Sequence, residues 1–147
     1  MDVRGGAIML EELAFEIAKE AHAGQKDKAG LDYILHPLQV AAMVATDEEK
    51  AVALLHDIIE DTDVTASVLL AKGLPVAVVE AVEALTKKHD QDYADYLAGV
   101  KMNGLATSVK LADLKHNSDL SRLVKITQKD RERAEKYRKA ITYLSNE

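Results

Sequence analysis

An imidazole and a carboxylate lie side by side within an otherwise apolar run, Val52-Ala53-Leu54-Leu55-His56-Asp57-Ile58-Ile59. Such a run predicts a buried helix, and burying these two groups without partners would cost roughly several kcal/mol. His56 and Asp57 therefore need a partner inside the protein. A divalent cation is one such partner, since imidazole nitrogen and carboxylate oxygen are ligands that Mn, Fe, Zn and Mg accept. With His36 and Asp113, the pair forms a candidate metal-binding set that guides the interpretation of the whole chain.

Further polar residues follow this set at helical spacing. Glu60 and Asp61 come one turn after the pair, so a continuous helix would project both acids towards the same cation. Asp113 is followed by His116 and Asn117 at three and four residues, and we expect His116 to support the site rather than to bind the ion. In metal-activated hydrolysis the cation lowers the pKa of bound water, and a carboxylate positions that water or takes its proton. Glu60 and Asp61 are therefore the candidate catalytic residues.

The rest of the sequence favours an all-α fold. Ala, Leu, Glu and Lys are frequent, Pro occurs only twice, and no alternation of period two persists. We predict a single helical bundle of about seven or eight helices, with residues 1–7 as a flexible N-terminus and residues 8–147 as one domain. The predicted helices cover residues 10–23, 36–45, 48–60, 66–71, 75–85, 92–101, 105–120 and 127–144.

Composition excludes several classes of function. The net charge of −6 argues against a general binder of nucleic acid polymers, which would present a basic face. No apolar run reaches membrane-spanning length, and the first residues lack the apolar core of a signal peptide. The absence of Cys is compatible with a reducing cytoplasm. We expect a cytoplasmic protein that acts on a small molecule, without a membrane or polymer partner, and leave oligomerisation open.

Three blocks resemble the HD-domain metal-dependent phosphohydrolases, and in particular the hydrolase domain of the RelA/SpoT proteins and the single-domain small alarmone hydrolases. They occur in the family's order and lie within a resemblance that runs from roughly residue 14 to residue 143. The blocks are Tyr33-Ile34-Leu35-His36-Pro37-Leu38-Gln39-Val40-Ala41, Ala53-Leu54-Leu55-His56-Asp57-Ile58-Ile59-Glu60-Asp61-Thr62 and Lys110-Leu111-Ala112-Asp113-Leu114-Lys115-His116-Asn117.

The resemblance implies an all-helical domain that holds one divalent ion, commonly Mn²⁺, and removes pyrophosphate from the 3′ position of guanosine tetra- or pentaphosphate (ppGpp or pppGpp). Fe²⁺, Zn²⁺, Mg²⁺ or Co²⁺ would suit the same ligands. It implies that the ligands are His36, His56, Asp57 and Asp113, and that Glu60 and Asp61 orient or deprotonate the attacking water. The implied substrate contacts are Tyr33, Lys26, Lys87, Lys88, Asn117, Arg133 and Tyr137. Binuclear HD enzymes need additional histidines between the His56-Asp57 pair and Asp113. His89 is the only histidine there, so the resemblance implies one metal rather than two.

Two departures from the family leave the substrate open. The loop before Tyr33 reads Lys26-Asp27-Lys28, where the family often has Arg, and Leu114-Lys115 and Ser118-Asp119 replace the usual continuation of the third block. One alternative is an HD phosphohydrolase acting on another nucleotide, such as a nucleoside monophosphate. Another is a helical nucleotide-binding module without turnover. For individual residues, a buried ion pair at His56-Asp57 and ordinary solvated helix ends are the competing interpretations.

Overall fold

The computed structural model describes residues 9–27 and 30–146, and within them nine α-helices and one 3₁₀ helix account for the repeating secondary structure. The all-α prediction is confirmed: the one β feature among the described residues is an isolated antiparallel bridge between Lys26 and Asp32. The expected flexible N-terminus, residues 1–7, lies outside the described residues. No helix in the described part of the chain combines the length and apolar character needed to cross a membrane. The helices are α1 Leu10–Ala21, α2 Leu35–Ala42, α3 Asp47–Leu55, α4 Ile58–Asp61, α5 Ala66–Ala71, α6 Val76–Ala84, α7 Tyr93–Lys101, α8 Gly104–Asn117, the 3₁₀ helix Leu120–Arg122 and α9 Gln128–Ser145.

Helix α3 lies at the centre of the bundle and contacts α1, α2, α6 and α8. Its residues 51–55 are all buried, and full burial of a Leu side chain contributes about 1.5–3 kcal/mol. The helix begins at a capping box: the Thr46 hydroxyl accepts the Glu49 N–H at 3.1 Å, and the Glu49 carboxylate accepts the Thr46 N–H at 2.9 Å. Helices α2 and α8 both pack on α3, so residues distant in sequence meet at one end of it.

The helix predicted over residues 48–60 is divided in two, and this prediction was wrong. Helix α3 ends at Leu55 and α4 begins at Ile58, so His56 and Asp57 lie in the break between them. The ring Nδ1 of His56 lies 2.6 Å from the Ala53 carbonyl oxygen. In a continuous helix that oxygen would accept the N–H of Asp57. The side-chain bond therefore replaces a helical hydrogen bond, and the two polar residues occur where the backbone leaves the helix.

Candidate metal centre

Side chains from α2, α8 and the break after α3 converge at one point. The Nε2 atom of His36 lies 2.8 Å from Oδ1 of Asp113. The Nε2 atom of His56 lies 3.1 Å from Oδ2 of Asp57 and 3.3 Å from Oδ1 of Asp113. His36, His56 and Asp57 can each offer one ligand atom within 4.8 Å of the others. The structure thus brings together all four residues predicted as ligands.

The tautomer of His56 is fixed by its surroundings. Because a carbonyl oxygen can only accept, the hydrogen bond to Ala53 requires Nδ1 of His56 to carry the proton. In the neutral ring, Nε2 then presents a lone pair towards the oxygens of Asp57 and Asp113. This nitrogen is buried and has no well-directed hydrogen bond among the described residues. Three electron-rich atoms facing one another favour a proton or a metal ion between them, and the donor set would fit a divalent ion.

The shifted pKa values of these groups also indicate that positive charge is favoured between them. Burial lowers the pKa of His56, but the carboxylates of Asp57 and Asp113 outweigh it and raise that pKa well above its ordinary range. Burial raises the pKa of Asp57, but neighbouring His56 outweighs this effect and lowers the pKa to about 2. The pKa of Asp113 is lowered well below its usual range, since His56, His36 and Lys110 together overcome the effect of burial. Without a metal, a proton on His56 would therefore neutralise part of the charge.

Two residues of α8 bind the carboxylate of Asp113. The Asn117 amide donates to Oδ1 at 3.0 Å, and the Lys110 ammonium donates to Oδ2 at 3.2 Å. Asn117 was predicted to lie beside the nucleotide, and it also lines the cavity next to the centre. Lys110 was not among the predicted ligands or substrate contacts. Its spacing of three residues before Asp113 was a signal that the two share a helix face.

His116 and Tyr33 each contact one of the candidate ligands. His116 contacts His36, and Tyr33 contacts Asp57. The Nδ1 atoms of His116 and His36 are 2.8 Å apart, and the two rings stack with centroids 4.9 Å apart. The Tyr33 hydroxyl donates a short hydrogen bond to Asp57, and the Tyr33 ring lies 5.9 Å from the His36 ring. Burial is the largest cause that raises the pKa of Tyr33, followed by the Asp57 charge, so the phenol remains a hydrogen-bond donor. Both residues are thus placed to orient the candidate ligands.

The candidate catalytic acids are exposed on the short helix α4. Because the helix is broken at His56, the expectation that they project from one continuous helix does not hold. The Glu60 carboxylate accepts the backbone N–H of Lys87 at 3.0 Å. Burial raises the pKa of Asp61, and the nearby charges of Asp57 and Glu60 raise it further. A carboxylate with a raised pKa is better suited to accept a proton from water.

A cavity of about 420 Å³ opens beside the centre. Five predicted substrate contacts line it, namely Lys26, Tyr33, Asn117, Arg133 and Tyr137. The ammonium of Lys26 is already paired with Asp32 at 2.5 Å. Lys87 and Lys88 are not among the lining residues, and Lys88 lines a separate groove beside Thr62 and Glu83. The cavity is also lined by five residues that were not among the predicted substrate contacts, namely Lys110, Leu120, Leu123, Asp27 and Asp130.

Comparisons with known proteins agree with this architecture. A family model described as "HD domain" matches residues 14–143. A guanosine-3′,5′-bis(diphosphate) 3′-pyrophosphohydrolase of Aquifex aeolicus is 45% identical over 78 residues, which cover 50% of this chain and 11% of that protein. The corresponding Haemophilus influenzae protein is 35% identical, over 69% of this chain and 17% of its own. The Escherichia coli K12 bifunctional (p)ppGpp synthase/hydrolase SpoT is 33% identical, over 71% of this chain and 17% of its own.

The chain therefore spans less than a fifth of the length of these relatives. Among solved structures, one described as "A metazoan ortholog of SpoT hydrolyzes ppGpp and plays a role in starvation responses" matches with a TM-score of 0.72 and 22% identity. The match covers 95% of this chain and 87% of the other. At this identity the likeness concerns the fold, which is shared along nearly the whole chain.

Proposed function

Because the chain belongs to the HD domain family, we propose that it is a metal-dependent phosphohydrolase that removes pyrophosphate from the 3′ position of guanosine tetra- or pentaphosphate. The products would be GDP or GTP and pyrophosphate. The observation that supports this most is the convergence of His36, His56, Asp57 and Asp113 beside a cavity that His36, Asp57 and Asp113 line. The reaction is the one in the name of the Aquifex aeolicus relative, which is 45% identical over 78 residues of this chain.

The four converging side chains are proposed to hold one divalent ion, with Mn²⁺ as the first choice and Fe²⁺, Zn²⁺, Mg²⁺ or Co²⁺ as alternatives. Support comes from the bond between Nδ1 of His56 and the Ala53 carbonyl oxygen, which directs Nε2 towards the carboxylates of Asp57 and Asp113. His116 would hold His36 in the orientation needed for ligation, and Tyr33 would do the same for Asp57. When bound, the ion supplies Lewis-acid activation of water and positive charge for a phosphoryl oxygen.

Glu60 and Asp61 are proposed to orient the attacking water and to take its proton. The two acids have different surroundings, which suggests that they have different roles. Glu60 is fixed by the Lys87 N–H, so its carboxylate has a defined position. Asp61 has the raised pKa and lies within the electrostatic influence of Asp57 and His56. We therefore assign proton acceptance to Asp61 and orientation to Glu60.

The cavity is proposed as the nucleotide site. Its volume of about 420 Å³ falls in the range of small-molecule pockets, roughly 300–1,000 Å³. Arg133 and Tyr137 on α9 face the same cavity as Asn117 and Tyr33, which gives a cation and hydrogen-bond donors for phosphates. Lys26 would contact the substrate only after exchanging its bond with Asp32. Lys87 and Lys88 remain proposed contacts for parts of the substrate that extend beyond the cavity.

We further propose that residues 8–147 act as one hydrolase domain in the cytoplasm. A small nucleotide would be the partner, rather than a nucleic acid polymer or a membrane. The net charge of −6 and the absence of Cys support this assignment. Oligomerisation is left open, because the proposed site is built from this chain alone.

A second candidate function is metal-dependent phosphate hydrolysis of a different nucleotide, such as a nucleoside monophosphate. It is favoured by the Lys26–Asp32 pair, which neutralises a cation at the cavity mouth, and by Ser118-Asp119 where the family commonly has further basic character. A nucleoside monophosphate carries less negative charge than ppGpp and would need fewer cations. The non-catalytic module is less favoured, since both Glu60 and Asp61 are present on the short helix that follows His56 and Asp57.

A nucleotide panel separates these functions. The Mn²⁺-loaded protein is incubated with ppGpp and with nucleoside monophosphates, and the released phosphate species are identified. Pyrophosphate and GDP from ppGpp would support the proposal, whereas orthophosphate from a monophosphate would favour the second candidate. Binding without turnover of any nucleotide would favour the module. His56→Ala should abolish turnover, and His89→Ala, which alters an exposed loop histidine, should leave it unchanged.

A further inference from the structure

Lys110 is a largely buried cation next to the proposed metal centre. Its side chain is 15% exposed, and its Nζ atom lies 3.2 Å from Oδ2 of Asp113. The ammonium also lies 5.2 Å from the centroid of the Tyr96 ring. Tyr96 is itself held in place, because its hydroxyl donates to the Leu85 carbonyl oxygen at 2.9 Å. Lys110 is therefore confined between an aromatic ring and the carboxylate.

The two oxygens of Asp113 have separate partners. Oδ1 faces the Nε2 atoms of His36 and His56 at 2.8 and 3.3 Å and accepts the Asn117 amide at 3.0 Å. Oδ2 is engaged by the ammonium of Lys110. Since an ammonium group only donates, this contact directs Oδ2 towards Lys110, while Oδ1 faces the imidazole nitrogens of the centre. This arrangement favours ligation by Asp113 through Oδ1 alone.

Lys110 also changes the net charge of the metal-loaded site. Two neutral imidazoles and the carboxylates of Asp57 and Asp113 would neutralise a divalent ion completely. A neutral centre gives an anionic substrate little attraction. Lys110, which lines the same cavity, adds one positive charge in a poorly solvated position, where electrostatic interactions are strong.

We propose that Lys110 is a positioning residue that limits Asp113 to one ligand oxygen and gives the loaded centre its net positive charge, so that phosphate groups can bind there. This inference rests on the metal centre proposed above. It predicts that Lys110 has opposite effects on the affinity of the site for the metal ion and for phosphate. Lys110 repels the metal ion and withholds one oxygen from it, so it weakens metal binding. It attracts phosphate and keeps a coordination position open, so it strengthens anion binding.

The test measures Co²⁺ and pyrophosphate binding to the full chain. Lys110→Met and Lys110→Gln remove the charge, Lys110→Arg keeps it, and Lys115→Met alters an exposed lysine of the same helix as a control. Co²⁺ titration gives the metal affinity, and the visible absorption of bound Co²⁺ reports its coordination number. Inorganic pyrophosphate is then titrated into the Co²⁺-loaded proteins. Circular dichroism verifies that each variant is folded, and either neutral variant is sufficient.

In the neutral variants we expect Co²⁺ to bind about tenfold more tightly, with the weaker absorption of a higher coordination number, because Asp113 can now offer both oxygens. Pyrophosphate should bind about tenfold more weakly or worse. Lys110→Arg should stay close to wild type for pyrophosphate, and Lys115→Met should match wild type in both titrations.

Two results would overturn the role of Lys110 while leaving the metal centre intact. One is weaker binding of both Co²⁺ and pyrophosphate in the neutral variants, which would indicate a merely structural role. The other is unchanged pyrophosphate affinity. Failure of the wild-type protein itself to bind Co²⁺ would instead overturn the proposed metal centre, and the role of Lys110 with it.

Discussion

Replacing Asp113 with Asn tests the buried charge network in the metal-free protein. The substitution keeps the shape of the side chain and removes its charge, leaving His56 and Lys110 without their shared counter-ion. His56 can release its proton, but Lys110 keeps its charge in a site where it is only 15% exposed. Removing one partner of a buried ion pair costs about 3–5 kcal/mol. In a domain of this size, about 2–4 °C of melting temperature corresponds to each kcal/mol, so we expect a decrease of about 6–20 °C.

The assay is thermal unfolding, followed by circular dichroism, of EDTA-treated wild type and Asp113→Asn at pH 7. Asp90→Asn is the matched control, because it removes the same charge from an exposed loop and should change stability by no more than about 0.5 kcal/mol. Saturating Mn²⁺ should raise the melting temperature of wild type and have little effect on Asp113→Asn. If Asp113→Asn melted within about 2 °C of wild type without metal, the buried network would not have the energetic role inferred from its geometry.

Three further predictions concern catalysis, pH and folding. Glu60→Gln and Asp61→Asn should keep the metal and lower kcat by roughly two orders of magnitude or more; wild-type turnover in both Mn²⁺-loaded variants would remove these acids from the mechanism. Burial lowers the pKa of His56, but two neighbouring carboxylates outweigh it and raise the pKa well above 6.5. The resulting stabilisation is complete below about pH 6.5 and is lost as the pH rises through the raised pKa. The melting temperature of EDTA-treated protein should therefore decrease between pH 6 and pH 9, and a constant or rising value would contradict the assignment. Thr46→Ala removes the cap of α3 and should cost about 1 kcal/mol in urea unfolding with unchanged kcat; an equal urea midpoint would show that the cap is not needed.

Helical patterning predicted most of the fold because the apolar stripes and caps are local signals. The helix predicted to begin at residue 48 begins at Asp47, directly after the Thr46 capping box. The break at His56 was missed, since it depends on a side-chain bond to Ala53 that competes with the backbone. The hydrophobic pattern continues through residue 56, so it gives no sign that the His56 side chain competes with the backbone for the Ala53 carbonyl oxygen.

The candidate site was predictable where residue type limits the chemistry. His36 and Asp113 are polar groups in apolar segments, and the structure places both in the interior. Surface cations carry less information, because a lysine fits equally well on a solvated helix end as in a pocket. For this reason Lys87 and Lys88 were predicted as substrate contacts although neither lines the cavity, and Lys110 was not among the predicted contacts although it donates to Asp113. Leu120 and Leu123 were missed because an apolar residue at the end of a predicted helix does not by itself indicate a pocket; they lie in and directly after the short 3₁₀ helix.

Anomalous scattering from crystals grown with Mn²⁺ is the most direct test of the proposed centre. We predict one strong peak bonded to His36, His56, Asp57 and Asp113, at the point where their ligand atoms converge. A fully Mn²⁺-loaded and active crystal whose peak lies elsewhere, away from these four side chains, would contradict it.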